Sequence, residues 1–221
     1  MIGSLTLLAA SLMAPVTAPA QKAPPSVLPG AGQESAIYYI DRMDPVRGYK
    51  TESMFGTFDT PPSRILAQRG PFGFEGDKKG YGKNGLKIIC NLEPAPENPT
   101  ENPGSAAYYT TLKKGGAYFD ASRFHYLSFL VRGEIGGEKL QVGLVDKQRE
   151  ETGKCAESGS IEAYTERGAI DKEWQRAQVP LDIFGINAAE VYQVLILFDN
   201  RLYDSVKGRS LTVFLDNLAL E

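Results

Sequence analysis

The chain offers little of the chemistry that a catalytic centre needs. His125 is its only histidine, and the sequence contains no Gly-x-Ser-x-Gly nucleophile motif or evident partner for it. A histidine-based triad therefore has little support, and the pattern favours a histidine on the surface or at a strand edge. Acidic residues are plentiful but do not cluster on one predicted strand, so the carboxylate pair of a glycosidase is neither indicated nor excluded.

Metal and phosphate chemistry have equally little support in cysteine and glycine patterns. Cys90 and Cys155 are the only cysteines, and without a CxxC spacing or further histidines the sequence argues against a structural zinc site. The two cysteines could form one disulfide in an exported protein or remain separate thiols, and the sequence leaves both open. The glycine-rich stretch 133–137 lacks the lysine and the strand-turn-helix context of a phosphate loop.

One acidic residue stands at an irregularity in the last predicted strand. Val213 and Leu215 share one face, but Leu218 and Leu220 keep the apolar pattern only if one residue is inserted near Asp216. A β-bulge there is the simplest account. Because a bulge re-aims side chains, Asp216 could serve a metal site; alternatively, it only ends the ladder pairing and faces water.

The elements that must position such residues are predicted to be strands of an antiparallel β-sandwich. Apolar residues alternate with polar ones, the period of a half-buried strand, in four runs at 126–132, 139–146, 174–181 and 211–218. The glycines of 133–137 favour a tight turn, so the first two runs are predicted to pair as a hairpin. Residues 194–198 are almost continuously apolar, which suits a strand covered on both sides or a short helical core segment, and their β-branched content favours the strand.

The first half of the chain predicts three more strands, at 38–41, 87–91 and 108–112, separated by long loops. The loop at 92–104 contains four prolines and cannot join a central sheet ladder. Long loops on a rigid sandwich often carry binding residues, so 71–84 and 92–104 are candidates for a recognition rim; alternatively, they are variable surface excursions.

Size and composition predict one folded domain behind an export-like start. The chain has 221 residues, a net charge of −3 and 42% hydrophobic residues, which argues against nucleic-acid binding. Residues 1–20 carry no charge and resemble a signal peptide without its basic region; a short hydrophobic anchor is the alternative. A Pro/Ala/Gly-rich linker is expected at 21–34 and the domain at 35–221. We therefore expect a secreted or periplasmic protein with no membrane insertion beyond the signal-like segment.

Four motifs in this order resemble a known group of proteins. They are the Asp120-Ala-Ser turn, the Leu127-Ser-Phe-Leu-Val-Arg-Gly strand, the Trp174-Gln strand ending in Val-Pro-Leu181, and the closing Phe214-Leu-Asp-Asn-Leu run. Together they resemble the galactose-binding-like jelly rolls of bacterial carbohydrate-binding modules, over about residues 38–220. The resemblance implies an all-β jelly-roll sandwich and is more specific for the fold than for the ligand.

The same resemblance implies a structural calcium ion between the first and last strands. Ile40-Asp-Arg-Met-Asp44 is similar to the acidic motif of these modules, and Met54-Phe-Gly-Thr57 stands where a glycine-rich turn would follow. Asp44 and Asp216 are therefore calcium candidates, and Asp41 is a weaker one. Arg42 departs from the more acidic pattern of the group, and backbone carbonyls would have to complete the oxygen shell. Alternatively, Asp44 only caps a turn.

Sugar binding requires an aromatic platform with planar polar groups beside it. Strand parity directs Tyr109, Arg132, Gln141 and Asp199 toward solvent, which makes them the ligand-binding candidates, although a shift of one residue would turn each inward. Trp174, the only tryptophan, is expected to pack at the sandwich edge.

Three functions compete at this point. The first is a non-catalytic glycan- or polysaccharide-binding module. The second is a protein-interaction domain on the same fold, for instance in the assembly of the cell envelope. The third, less favoured, is a polysaccharide hydrolase or lyase that uses carboxylates or tyrosines without a recognisable motif.

Overall fold

Antiparallel strands are the dominant secondary structure of the described residues, which confirms the all-β prediction. The computed structural model describes residues 37–41, 43, 54–74, 84–112, 115–203 and 207–221. Within these ranges the strands are β1 (Tyr38–Asp41), β2 (Phe55–Asp59), β3 (Arg64–Gly70), β4 (Gly85–Leu92), β5 (Ser105–Thr111), β6 (Tyr126–Gly133), β7 (Gln141–Asp146), β8 (Ala156–Ser160), β9 (Gln175–Pro180), β10 (Val191–Asp199) and β11 (Arg209–Leu220). Helix α1 (Lys147–Thr152) follows β7, and short 3₁₀ turns lie at Ile161–Tyr164, Leu181–Phe184, Ala188–Glu190 and Asn200–Leu202.

In the described part of the chain, the strands form two sheets that pack as a sandwich. The sheet that we call the back sheet has the order β3-β4-β11-β6-β9, with β1 pairing to β11. The other, the front sheet, has the order β2-β5-β10-β7-β8. Neighbouring strands are antiparallel throughout. This arrangement confirms the predicted antiparallel jelly-roll sandwich.

The core lies between the inner faces of the two sheets. Alternate residues of each central strand point inward and are at most 2% exposed: Leu127, Phe129 and Val131 from the back sheet, and Leu140, Val142 and Leu144 from the region of β7. β10 is apolar on both faces, since Val194, Ile196 and Phe198 enter this core while Leu195 packs in a second, smaller cluster on the outer face. The predicted strand is therefore confirmed; the core covers its inner face, whereas Leu197 on its outer face is only half-buried.

The predicted hairpin between the first two runs is wrong. β6 pairs with β11 and β9 in the back sheet, whereas β7 pairs with β10 and β8 in the front sheet. The stretch 133–137 crosses between the sheets, and Gly133 and Gly137 donate backbone hydrogen bonds to Asp171 and Ile170. The physical reason is that both strands contribute an apolar face to one core, and in a sandwich such faces come from opposite sheets.

The bulge predicted in the last strand is present. The register of β11 against β6 shifts between Asp216 and Ala219, and Asn217 adopts a positive φ of 52°. Asparagine tolerates this left-handed backbone better than most residues because its short polar side chain bonds locally. Leu218 and Leu220 consequently return to the core at 1% and 2% exposure.

The turn expected at Met54-Phe-Gly-Thr57 is instead the start of an edge strand. β2 pairs with β5 from Phe55 to Asp59. Gly56 is not in a left-handed conformation; it lies opposite Tyr109, where the absence of a side chain makes room for the tyrosine ring. The glycine therefore serves side-chain packing on a sheet face.

The two cysteines are separate thiols in the structure. Cys90 is completely buried on the inner face of β4, and Cys155 is half-buried at the start of β8 in the front sheet. His125 is exposed, as predicted. No helix in the described ranges is long and apolar enough to cross a membrane.

Candidate functional site

A cleft of about 530 Å³ opens on the outer face of the front sheet. Its floor is formed by β10, which turns Gln193, Leu195 and Leu197 outward because alternate residues of a strand share a face. Val145 from the neighbouring strand β7 extends this floor. The floor therefore combines apolar surface with one side-chain amide.

Helix α1 and the turn behind it form one wall of the cleft. The carboxylate of Asp146 begins the helix by accepting a hydrogen bond of 2.9 Å from the backbone nitrogen of Arg149, and it accepts a second of 2.8 Å from that of Asn187. Gly153 ends the helix in a left-handed conformation with φ 64°. These caps fix where Arg149 and Lys154 stand at the cleft.

The electrostatic state of Asp146 follows from this capping role. Burial raises the pKa of its carboxyl group, but hydrogen bonds from Asn187 and Arg149 and the charge of the Arg149 guanidinium outweigh burial, so the pKa is lowered overall. Arg149 Nη1 lies 2.9 Å from the Asp146 carboxylate. The helix is therefore attached to the sheet by an ionised, fully engaged carboxylate.

An ion pair fixes the polar groups at the end of β10. Asp199 accepts hydrogen bonds from the backbone nitrogen of Arg201 at 2.7 Å and from its Nε at 2.9 Å and 3.0 Å. The Arg201 side chain is 68% exposed, whereas that of Asp199 is 6% exposed. The buried carboxylate thus holds an exposed planar guanidinium at the cleft, where it can donate to or stack against a ligand.

A second polar pair crosses from β7 to β8. Gln141 donates from Nε2 to Glu157 at 3.0 Å, and both residues line the cleft. Since each group is already oriented by the other, little side-chain entropy would be lost when a ligand hydroxyl binds them.

Aromatic side chains stand at the β2 side of the front sheet. Phe58 lines the cleft and is 51% exposed. Tyr109 lies on the same face, and a Cβ atom on Gly56 would approach its Oη to 2.8 Å and its Cζ to 2.9 Å. The tyrosine ring therefore lies directly over the glycine of the neighbouring strand. An exposed ring beside planar polar groups is the arrangement that a sugar ring requires.

Cys155 also lines the cleft, beside Glu157. Burial, followed by the nearby Glu157 carboxylate, raises the pKa of the Cys155 thiol to about 11. The thiol is therefore almost entirely protonated at physiological pH and is a poor nucleophile there.

The four ligand-binding candidates predicted from sequence fall on two different sheets. Gln141 and Asp199 line the cleft, and Tyr109 lies on the same outer face of the front sheet. Arg132 belongs to β6 in the back sheet, and the structure does not bring it to the other three. Strand parity directed it outward correctly, but parity does not distinguish the two outer faces of a sandwich.

Arg132 is instead part of an aromatic cluster on the back sheet. Its guanidinium carbon lies 3.7 Å from the ring centre of Phe214 and 5.4 Å from that of Trp174. Phe72 and Phe74, which follow β3, approach these two rings, with centres 6.2 Å from Phe214 and 6.4 Å from Trp174. The tryptophan packs at the edge of the sandwich, as expected, and away from the cleft.

Sequence reasoning missed Phe58, Gln193 and the α1 wall. Gln193 could have been found, because it shares the parity of Leu195 and Asp199 on one predicted strand. Phe58 was hidden by the expectation of a turn before it. The six-residue helix carries too short a pattern to be recognised by periodicity.

The calcium candidates occupy different surroundings. Asp41, at the end of β1, has both carboxylate oxygens bonded to Arg69. Asp216 accepts hydrogen bonds from the backbone nitrogens of Phe74 at 3.0 Å and Asn217 at 2.8 Å. Asp44 lies outside the described residues. Among those that are described, no three histidine, cysteine or acidic side chains gather as a metal site would require. A cation of the protein, Arg69, therefore already engages the Asp41 carboxylate.

The jelly-roll sandwich is a fold that carbohydrate-binding modules use, and the aromatic, polar-sided cleft is compatible with a sugar ligand. The family model for carbohydrate binding domain 30 matches residues 90–221, more than half of the chain, and the chain therefore belongs to this family.

Solved structures share this fold. The family 11 carbohydrate-binding module of a cellulosomal cellulase of Clostridium thermocellum is 11% identical, with a TM-score of 0.54 over 85% of this chain and 95% of that one. A family 11 module from the same organism, in complex with a β-1,3-1,4-mixed-linked tetrasaccharide, is 11% identical with a TM-score of 0.53, over 83% and 94% of the two chains. A family 30 module is 16% identical with a TM-score of 0.52, over 84% and 98%. No curated protein sequence matches the chain.

Proposed function

We propose that the module binds an uncharged polysaccharide in the cleft of the front sheet and has no catalytic activity of its own. The observation that carries this proposal is the cleft itself, which combines the exposed ring of Phe58 with an apolar floor and oriented polar groups. Sugar rings present C–H groups on their faces and hydroxyls at their edges, and this lining complements both.

The balance of charge in the cleft favours an uncharged ligand. Its lining contains as many cationic side chains as carboxylates, namely Arg149, Lys154 and Arg201 against Glu150, Glu157 and Asp199. Two of the cations are also paired with carboxylates, Arg201 with Asp199 and Arg149 with Asp146. A uronic or sulfated chain would meet carboxylates without a surplus of cations to offset them.

The binding experiment compares soluble glycans on purified protein by titration calorimetry. One probe is the β-1,3-1,4-mixed-linked tetrasaccharide, because a family 11 module was solved in complex with it; other neutral oligosaccharides and an anionic polygalacturonate complete the panel. We expect affinity for one neutral class. A preference for the anionic polymer would contradict the proposal of an uncharged ligand, and no binding to any glycan would contradict the proposed site.

Variants then locate the binding face. Phe58→Ala and Gln193→Ala should each weaken binding about tenfold or more if they contact the sugar. Tyr126→Ala is the matched control, since it removes an aromatic ring of similar exposure, 42% against 51%, from the back sheet. Equal losses in the cleft and control variants would place binding elsewhere.

The absence of catalysis is supported by the engagement of the cleft carboxylates. Glu157 accepts from Gln141, Asp199 from Arg201, and Glu150 from the hydroxyl of Tyr118 at 2.7 Å. Incubation with the bound polysaccharide should release no reducing ends and no unsaturated product. Release that persists in a highly purified sample and disappears in Glu157→Gln would establish the hydrolase or lyase alternative.

An envelope protein as partner is the other alternative. Pull-down from envelope extract, with and without saturating glycan, distinguishes it: a specific protein retained by wild type and lost in a front-sheet variant would support an assembly role.

We further propose export and a calcium ion held by Asp44 and Asp216. Export is supported by the uncharged residues 1–20, and fractionation with N-terminal sequencing of the mature protein tests it.

Calcium is supported by the acidic motif and by the burial of Asp216, and a thermal melt of Asp216→Asn with calcium and with chelator tests it.

A further inference from the structure

The carboxylate of Asp41 is buried between the two sheets at one side of the sandwich. The residue is 6% exposed and ends strand β1. Its Oδ1 accepts hydrogen bonds from the backbone nitrogen of Met43 at 2.8 Å and from Nη1 of Arg69 at 3.0 Å. Its Oδ2 accepts from Nη2 of Arg69 and from the hydroxyl of Tyr108 at 3.3 Å. Both oxygens therefore have two donors each.

Arg69 meets this carboxylate with both terminal nitrogens. Its side chain is 10% exposed, so this ion pair is screened little by solvent. The guanidinium carbon also lies 4.1 Å from the ring centre of Phe55, and Nη2 lies 2.9 Å from the Tyr108 hydroxyl. A bidentate arginine–carboxylate contact is among the stronger polar interactions in proteins.

The cluster joins the two layers of the sandwich. Asp41 and Arg69 belong to β1 and β3 of the back sheet, whereas Phe55 and Tyr108 belong to β2 and β5 of the front sheet. Burial, followed by the charge of Asp41, raises the pKa of Tyr108 far above its ordinary value, so its hydroxyl stays protonated and remains a donor. Contacts across the sheets thus converge on one guanidinium.

We infer that Arg69 supplies the positive charge that balances Asp41, that it anchors β1 to both sheets, and that Asp41 is not a calcium ligand. Calcium requires about six to eight oxygen ligands, and it would have to take lone pairs that Arg69, Tyr108 and Met43 already use. Its charge would also oppose that of the guanidinium at close range. The positive charge beside Asp41 is supplied by the chain itself, through Arg69.

The calcium part of this inference is tested by thermal melts of the whole protein in calcium and in chelator. We expect wild type and Asp41→Asn to show the same calcium-dependent shift in melting midpoint, whether that shift is zero or arises from an ion elsewhere. A shift that is present in wild type and lost in Asp41→Asn would overturn the inference.

A measurement on wild type covers the case in which Asp41→Asn fails to fold. The guanidinium N–H signals of Arg69, assigned by nuclear magnetic resonance, should be protected from exchange and unchanged when calcium is added. Their loss or displacement by calcium would show that the ion competes for Asp41 and would overturn the inference.

A double-mutant cycle tests whether the Arg69–Asp41 ion pair anchors β1. Arg69→Met should lower the melting midpoint by roughly 10 °C, because it leaves a buried carboxylate without its cation. Asp41→Asn should recover part of that loss when it is combined with Arg69→Met. The matched control is Arg64→Met on the same strand, whose side chain is 67% exposed and should matter little. If the changes in melting midpoint caused by Arg69→Met and Asp41→Asn were simply additive in the double variant, the proposed anchoring by this ion pair would be contradicted.

Discussion

Two thiols in one sandwich differ in reactivity because they occupy different faces. Cys155 lines the cleft with a pKa raised to about 11, so only a very small fraction is thiolate near neutral pH. Alkylation by iodoacetamide should therefore accelerate about tenfold for each unit of pH from about 7 to about 10, without a plateau. The rate is measured by mass spectrometry. Cys90, which is 0% exposed, should stay unmodified in the folded protein.

The same thiol reports on ligand binding. If a glycan occupies the cleft, it should slow alkylation of Cys155 in proportion to the occupied fraction. Cys155→Ser, which should incorporate no label while folded, is the control. A plateau in rate below about pH 9 would contradict the raised pKa, and an unchanged rate at saturating glycan would place the sugar away from Cys155.

Gly56 and Tyr109 form a second pair whose coupling is measurable. Gly56→Ala should displace the tyrosine ring, because the added Cβ would lie 2.8 Å from Tyr109 Oη. Because the clash is with the outer end of a half-exposed ring, the cost should lie at the low end of the about 1–3 kcal/mol that overpacking takes from the unfolding free energy. In a Tyr109→Ala background the same substitution should cost far less. Urea denaturation of the four proteins gives the coupling, and additive effects would show that the ring does not lie over Gly56.

At the scale of elements, helix α1 depends on a single buried cap. Asp146→Ala should lower the unfolding free energy by about 1–3 kcal/mol, since it removes the cap and leaves the backbone nitrogen of Asn187 without its acceptor. Urea denaturation measures the loss.

Because folding lowers the pKa of Asp146, its contribution to the free energy of unfolding is present above its ordinary pKa. That contribution is lost as pH falls through the lower folded value, below about pH 4.

Asp120→Ala is the matched control for that cap. Asp120 accepts hydrogen bonds from the backbone nitrogen and hydroxyl of Ser122, but it is exposed and closes only a surface turn. Its removal should change stability much less than the removal of Asp146. An equal effect would mean that burial of the cap does not matter.

The sequence predicted most strands, although not β2, β3 or β8, and it predicted their partners poorly. Alternation located β6, β7, β9 and β11, because each buries one face in the same core. The same alternation could not say that β6 and β7 face each other from opposite sheets. That choice depends on contacts between distant segments, such as β6 with β11. The prediction of the candidate site had the same limit. Strand parity correctly placed Arg132 on an outer face, but that face belongs to the back sheet and not to the sheet that carries the cleft.

At the scale of the whole molecule, one core links both sheets and should unfold as a unit. Phe129→Ala should cost about 3–5 kcal/mol, because the side chain is 2% exposed and packs among residues of both sheets. Calorimetry and urea denaturation should report one cooperative transition, at lower stability than wild type. Tyr126→Ala on the same strand, 42% exposed, should change stability little. Separate transitions of the two sheets would contradict a shared core.

The place of Trp174 has a practical consequence for optical assays. It is the only tryptophan of the chain and packs against Phe74 and Arg132 on the back sheet, on the other side of the sandwich from the cleft. Its emission should follow unfolding but stay almost constant when a sugar binds. A flat tryptophan titration is therefore expected whether or not a sugar occupies the cleft, and a fluorophore attached at the front sheet would be needed to see the ligand.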